Sequence, residues 1–522
     1  MIEAEVHLSL HNFLRSQAGF PNWHHHLTMA RLVARALRVG RSALIQVGAA
    51  CGYQGRYRTS FVAPALMWDG PVVIVATEAV QQRLLKIEIP RLQEWLKISK
   101  PILTGDKFPN KNFKGLFITT PQAWLESHFV DESLLPPAIP TIIDGVDELE
   151  DWVRASQTFT VNPSDWEELM LACPKYIEQI REARVHLTRE FFHHPPNPYE
   201  CYSISEVGKK ILVHLYLDIG FNYLPSNWQT FYEQFQSLLI LDFLCPFPEK
   251  EIPSSSPPLV WTTINRRQGL FSLHCSPVEL QDVMEPIWKR QPVVLVGSAV
   301  ETETQAPLFR QRLGIGKDIT PLKFSSDNQT EAIQLYAPHN LPLPNTPEFQ
   351  NAFINKVRTL VCLSAVAPGL TVIIVGDVPL KAQVGTILAA EFGSRVQVEK
   401  TCLEDNGILI TGWEYWREYQ VVLPAPKLLI IATLPFPSLE HPLVSLQVAH
   451  YKRSHQDWFR LYLLPMALSE LQRAIAPARE SQGIVALLDA RVVNRSYGAQ
   501  ILSALSPLAR INYLEPETFG NG

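Results

Sequence analysis

Thr141-Ile142-Ile143-Asp144-Gly145-Val146-Asp147-Glu148-Leu149 is the stretch on which the fold turns. Its first three residues are an apolar, β-branched run, the composition of a short buried strand, and Asp144 stands at the end of it. A nucleotide-hydrolysing protein puts its magnesium-binding carboxylate at such a strand end. The residue after it is then a glutamate that handles the attacking water, and here it is Gly145. The segment reads as a site built to hold a nucleotide and stripped of the group that would hydrolyse it. Taken alone, Asp144 fits a helix N-cap or a surface turn equally well.

Working outward, residues 43–47, 72–75 and 116–119 are further short apolar runs, each followed by turn or helix signals. Met29, Leu32, Val33, Ala36 and Leu37 fall at helical spacing ahead of them. Strands separated by helices predict a parallel sheet. From about 163 to 245 the rhythm changes to long helical patterns (166–173, 176–192, 206–244) with no clear strand, which predicts a helical insertion. The cluster Pro253-Ser254-Ser255-Ser256-Pro257-Pro258 predicts a linker. Runs at 259–262, 270–273 and 293–298 then predict a return to the first sheet. A second alternating block begins near Asn351, with strands expected at 371–375, 396–398, 407–411, 428–432 and 484–488. The expected class is α/β. The expected domains are a first lobe over 1–160, the insertion over 161–252, a return to the first lobe with a connection over 253–335, and a second lobe over 336–522.

Composition narrows the function. At 522 residues the chain exceeds one core, and 46% apolar with 19% charged residues excludes a disordered protein. A net charge of −5 excludes a uniformly basic coat, so any nucleic-acid contact must come from local patches. Seven scattered cysteines without a CxxC pair suit reduced thiols. No secretory pattern or membrane-length apolar run is seen, and the expectation is a cytoplasmic protein with no membrane partner.

A phosphate-binding loop needs glycines, so that backbone amides approach the phosphates, and a lysine to reach them. After the strand at 43–47 the chain reads Gly48-Ala49-Ala50-Cys51-Gly52-Tyr53-Gln54-Gly55-Arg56-Tyr57-Arg58-Thr59-Ser60. Arg56 stands where the lysine belongs and Tyr57 where a Ser or Thr would hold magnesium. A glycine-rich strand-to-helix turn with no ligand fits the same residues. His24-His25-His26 fits a polar turn before a helix better than a metal site. Arg31, Arg35 and Arg38 share one helix face, either solvated or touching phosphate. Trp413 and Trp416 could stack bases, although core packing is the commoner use of tryptophan.

The C-terminal half carries the more specific signal. Leu434-Pro435-Phe436-Pro437 is followed by His441-Pro442, Pro465-Met466-Ala467, Asp489-Ala490-Arg491 and Tyr497-Gly498. In order and content this resembles the DinG/XPD family of superfamily 2 DNA helicases. Upstream, Trp288 before Gly297-Ser298-Ala299 is similar to that family's approach to its SAT motif. The resemblance implies two RecA-like lobes of the P-loop NTPase type with a helical arch-like insertion in the first. It also implies ATP and Mg2+ as cofactors and single-stranded DNA as partner. Carried over by position, Gly52, Gly55, Arg56, Thr59 and His26 would bind nucleotide, and Asp144 would bind the metal. Asp144 and Arg479 would be the catalytic residues, and Thr77, Ser298 and Trp416 would touch nucleic acid. The departures are Arg56 for lysine, Gly145 for glutamate, and Ala476 or Pro477 for the inner arginine. The family's iron–sulfur cysteines are missing, since no cysteine lies between Cys51 and Cys173. The reading is a helicase homologue with weak or lost hydrolysis. Its alternative is a non-catalytic pseudo-helicase in DNA repair or replication that binds nucleic acid or serves a protein partner.

Overall fold

The structure, a computed structural model, describes residues 2–16, 23–110, 112–136, 138–239, 258–324, 332–366 and 368–515. Strands β1 (Ala43–Gln46), β2 (Val72–Val75), β3 (Ile102–Thr104), β4 (Leu116–Thr119) and β5 (Thr141–Asp144) come first. They are followed by β6 (Phe159–Val161), β7 (Cys201–Ser203), β8 (Leu259–Asn265), β9 (Leu270–Ser276), β10 (Val293–Gly297) and β11 (Thr320–Lys323). The rest are β12 (Ile333–Tyr336), β13 (Thr371–Ile374), β14 (Val396–Val398), β15 (Ile408–Thr411), β16 (Leu428–Ile431), β17 (Ile484–Leu487) and β18 (Leu508–Ile511).

Among the described residues these form two parallel sheets of seven strands, ordered β11-β1-β10-β5-β2-β4-β3 and β14-β15-β13-β16-β17-β12-β18. The central strands β2, β4, β5 and β10 are buried throughout, as are β13, β15, β16 and β17. Helices on both faces of a parallel sheet cover such strands, which is why they read as unbroken apolar runs. This is the expected α/β class with two RecA-like lobes. In each lobe the strands deliver their C-terminal ends to one edge, where ligands of open parallel sheets bind.

The insertion corrects the sequence reading in two places. Runs 259–262 and 270–273 do not rejoin the first sheet. They lie in β8 and β9, which pair antiparallel with each other and with β7 and β6 in a separate sheet of order β6-β9-β8-β7. The alternating burial of β9 shows one covered face, the mark of an antiparallel sheet. The stretch expected to hold no strand contains β7, and the helical pattern 206–244 is two helices, Glu206–Ile219 and Ser226–Leu239. Gly220 and Pro225 separate them. Most of the predicted linker, 253–257, lies outside the described residues, as does Cys245.

Aromatic packing holds the insertion together. Trp166 and Trp228 meet edge to face at 4.8 Å, and the Trp228 indole N–H donates to the Asp165 carbonyl at 2.9 Å. The insertion also touches the second lobe. Leu443 and Leu446 of the helix Pro442–Arg453 pack on Cys201, Leu259, Trp261 and Val278. Gln447 donates to the Val278 carbonyl at 3.2 Å. No helix among the described residues is long and apolar enough to cross a membrane.

Candidate functional site

The glycine-rich segment after β1 folds inward on itself. Ala49–Tyr53 is a short helix, Arg56–Arg58 a 3-10 turn, and Thr59–Met67 the helix that follows. Its amides are spent locally: Gly52 N–H donates to the Gly48 carbonyl at 3.1 Å, Gly55 N–H to Gly52 at 3.0 Å, and Arg58 N–H to Gly55 at 3.1 Å. An anion cradle needs those N–H groups free and convergent.

Two glycines make room for protein atoms. A Cβ on Gly52 would lie 2.2 Å from Ser298 Cβ, and one on Gly55 would lie 2.0 Å from Arg58 Nη1. Gly55 is also left-handed, with φ of 62°. Arg58 thus folds over Gly55 toward the end of β5, where its Nε donates to Asp144 Oδ2 at 2.7 Å. The Tyr57 hydroxyl donates to Asp144 Oδ1. Burial, reinforced by the neighbouring Asp144 charge, holds the Tyr57 phenol well above its usual range, so it remains a donor. Asp144 is 3% exposed and both its oxygens accept internal hydrogen bonds. An internal guanidinium therefore stands where the magnesium was expected. The residues present do not fit a magnesium–nucleotide complex: both oxygens of the carboxylate and the space over Gly52 are taken, and the amides of Gly52, Gly55 and Arg58 are engaged within the loop.

The lysine-position residue, Arg56, turns to the second lobe and pairs with Glu480. The Tyr53 hydroxyl donates to the Gln420 carbonyl at 2.9 Å, also in the second lobe. Asp147 receives the Ser298 N–H at 3.2 Å and Arg473 Nε at 3.1 Å. The Ser469 hydroxyl donates to the Ala299 carbonyl at 2.6 Å. Helix Leu464–Glu480, which carries Arg473, Ser469 and Glu480, lies directly across the short helix Ala49–Tyr53.

Other expected residues are placed as follows. Thr59 is buried in the first turn of its helix. Thr77 is half-buried at the start of the helix Glu78–Arg83 after β2. Ser298 is wedged between Gly52 and Asp147. Arg479 is 4% exposed and donates to the carbonyls of Pro507 at 2.9 Å and Leu505 at 2.5 Å. It braces the second lobe's own backbone and also borders the cavity beside Gly48 and Ala49. Trp416 is 1% exposed, with its indole N–H on the Ala474 carbonyl at 3.0 Å. It has no open face for a base, and the expected stacking role is corrected to core packing. A cavity of about 430 Å3 remains between the lobes beside Gly48 and Ala49. Lys323, at its wall, already donates to the Glu301 carbonyl at 3.0 Å.

His26 lies behind the loop, with Nδ1 2.8 Å from the Ser60 hydroxyl and Nε2 buried without a partner. Burial, with the Arg56 charge adding, pushes it down to about 4, and burial pushes His274 down to about 4 as well. Both stay neutral in the fold, whereas an unfolded chain protonates them near 6.5. Below that pH the unfolded state binds more protons. Stability is thus full above about 6.5 and drains as pH falls toward 4, by up to roughly 3 kcal/mol per histidine. Urea midpoints at pH 7 and pH 4.5 test this. His274→Gln should flatten the dependence, and an unchanged slope would refute the assignment.

Sequence reasoning missed a second feature, at the C-terminal strand ends of the second lobe. Asp489, buried after β17, accepts the Leu434 N–H at 2.8 Å and the Arg491 guanidinium at 2.5 Å. Arg491 lies over the Phe436 ring at 5.3 Å, and Phe459 and Tyr497 meet at 5.0 Å. Phe459, Arg491 and Tyr497 border a groove of about 710 Å3 lined also by Arg460 and Arg495. The Leu-Pro-Phe, Asp-x-Arg and Tyr-Gly elements therefore converge on one basic, aromatic surface. The signal available in sequence was the spacing of those three elements along the second lobe.

Comparison with known proteins bears on this arrangement. Residues 424–508 match the helicase C-terminal domain family. Over 266 residues the chain is 25% identical to the ATP-dependent DNA helicase YoaA of Haemophilus influenzae, covering 48% of this chain and 41% of that protein. Over 252 residues it is 21% identical to YoaA of Escherichia coli K12, covering 46% and 40%. The chain resembles the DinG/XPD-like helicases. The matched stretch spans only about two fifths of the length of those relatives. The solved XPD helicase (TM-score 0.56, 10% identity) and S. tokodaii Xpd4 (0.57, 12%) each align over 94% of this DinG/XPD-like chain and 100% of their own. At such identity the likeness bears on the fold, which it extends across both lobes and the insertion.

Proposed function

We propose that this DinG/XPD-like chain is a non-hydrolysing helicase homologue that binds single-stranded DNA. The observation that carries the reading is the carboxylate of Asp144, both of whose oxygens are engaged by Tyr57 and Arg58. A group already satisfied by its own chain contributes little to a metal. Gly145 supplies no base, and Ala476 and Pro477 no arginine, so the chemistry that turns a helicase over has no residues to perform it.

The binding half of the reading rests on the second-lobe groove. Its cations, Arg460, Arg491 and Arg495, suit phosphates, and the half-buried rings of Phe459 and Tyr497 suit bases, the pairing by which single strands are held without sequence preference. Arg460 and Arg495 are exposed and have no structural task as demanding as Arg491's pair with Asp489. Strand binding measured by fluorescence anisotropy should weaken with salt. Replacing Arg460 and Arg495 by alanine should flatten the log–log slope by about 0.7 for each phosphate no longer neutralised. An unchanged slope would remove the groove from the binding path.

A further inference from the structure

We infer that the lobes are held closed by the protein's own contacts, which take the place of a nucleotide, so that the chain grips a strand continuously. The inference rests on the proposed strand binding for its consequence but not for its geometry. In a two-lobed motor the nucleotide supplies charge and hydrogen bonds at the cleft, and the lobes part when it leaves. Here the chain supplies charges and hydrogen bonds of its own at the cleft. Arg58 supplies the cation at Asp144 from within the first lobe. Across the seam, Arg56 pairs with Glu480, and the Tyr53 hydroxyl meets the second lobe's backbone.

The seam is also deeply seated. Arg473 reaches over from the second lobe with a side chain 14% exposed, and Asp147, its partner, is 8% exposed. Arg473 donates in addition to the Asp147 carbonyl at 3.0 Å, fixing backbone as well as side chain. All of these contacts are made by groups of the chain itself. A ligand can shift a two-state equilibrium only through differential affinity. Asp144 is engaged by Tyr57 and Arg58 inside the first lobe, whatever the lobes do, so a nucleotide gains little there from closing them.

The test uses the full chain in two measurements. Small-angle scattering of the protein alone should give one radius of gyration, unchanged by magnesium with ATP or ADP. Dissociation of fluorescein-labelled oligothymidine should be equally indifferent to both nucleotides. The variant Tyr53→Phe with Glu480→Lys should expand the particle and speed strand release roughly tenfold, since changes at an interface act mainly on the off-rate. Adding Arg56→Glu restores opposite charges across the seam and should recover much of both values, which a merely misfolded variant would not. Contraction of the wild type on adding magnesium–ATP would overturn the inference. So would a Tyr53→Phe, Glu480→Lys variant as compact and as slow to release as wild type. If the wild type binds no strand at all, the proposed function fails, while scattering still decides the state of the lobes.

Discussion

Replacing Arg58 with methionine should cost roughly 3–5 kcal/mol of stability, the usual penalty for stranding one member of a buried ion pair. The pair qualifies: the Asp144 side chain is 1% exposed and that of Arg58 13%. With Arg58 gone, Asp144 keeps only the Tyr57 hydroxyl, and a buried carboxylate with one neutral donor is poorly compensated. Arg58→Met combined with Asp144→Asn should recover most of the loss, since an amide with a phenol partner carries no uncompensated charge. The measurement is a denaturation midpoint for wild type, both single variants and the double. Additive losses would mean the pair is not coupled and that Asp144 is open to other ligands. Millimolar magnesium should leave the wild-type midpoint where it is. A magnesium-dependent rise would contradict the engaged carboxylate directly.

Hydrolysis of ATP by the wild type should stay at background with or without single-stranded DNA, and the obvious repair should fail. A positioned base contributes about 10²–10⁴ in rate and a transition-state arginine about 10³–10⁵, and the two losses are not additive. The repair Arg56→Lys with Gly145→Glu restores two motif residues on paper. In the fold, Gly145 has φ of 85° and ψ of 33°, a left-handed backbone that costs a non-glycine residue about 1–2 kcal/mol. A glutamate there is strained and is aimed by a backbone not arranged for it. Arg58 still sits on Asp144. Coupled phosphate-release assays on wild type and repaired protein check this. Robust DNA-stimulated turnover by either one would overturn the reading.

Much of the fold is legible in the sequence because parallel strands buried on both faces leave a plain apolar run. Residues 72–75, 116–119, 141–144 and 428–432 all declare themselves this way. The insertion is harder. Its short β7 is three residues, and β8 and β9 carry the same apolar letters as lobe strands. Nothing local says with which sheet a strand pairs, so chain order alone assigns 259–276 to the first lobe, and wrongly. The candidate site is legible as a set of positions and opaque as chemistry. Asp144 is where the motif says, yet its function depends on two side chains 86 and 87 residues away in sequence. Arg56-Tyr57-Arg58 carries a clue, two cations and a phenol where a loop needs one cation and a hydroxyl. That one of them reaches the β5 aspartate is visible only in the fold. Trp416 shows the converse: its motif position suggests a ligand, and only burial shows that it packs.

Gly52 and Gly55 are each required by a neighbour within this chain, Ser298 in one case and the guanidinium of Arg58 in the other. Side chains of the chain itself occupy the space that a bare loop would leave for phosphates. In this fold the two glycines answer to packing, so replacing Gly52 by alanine should lower stability whether or not nucleotide is present.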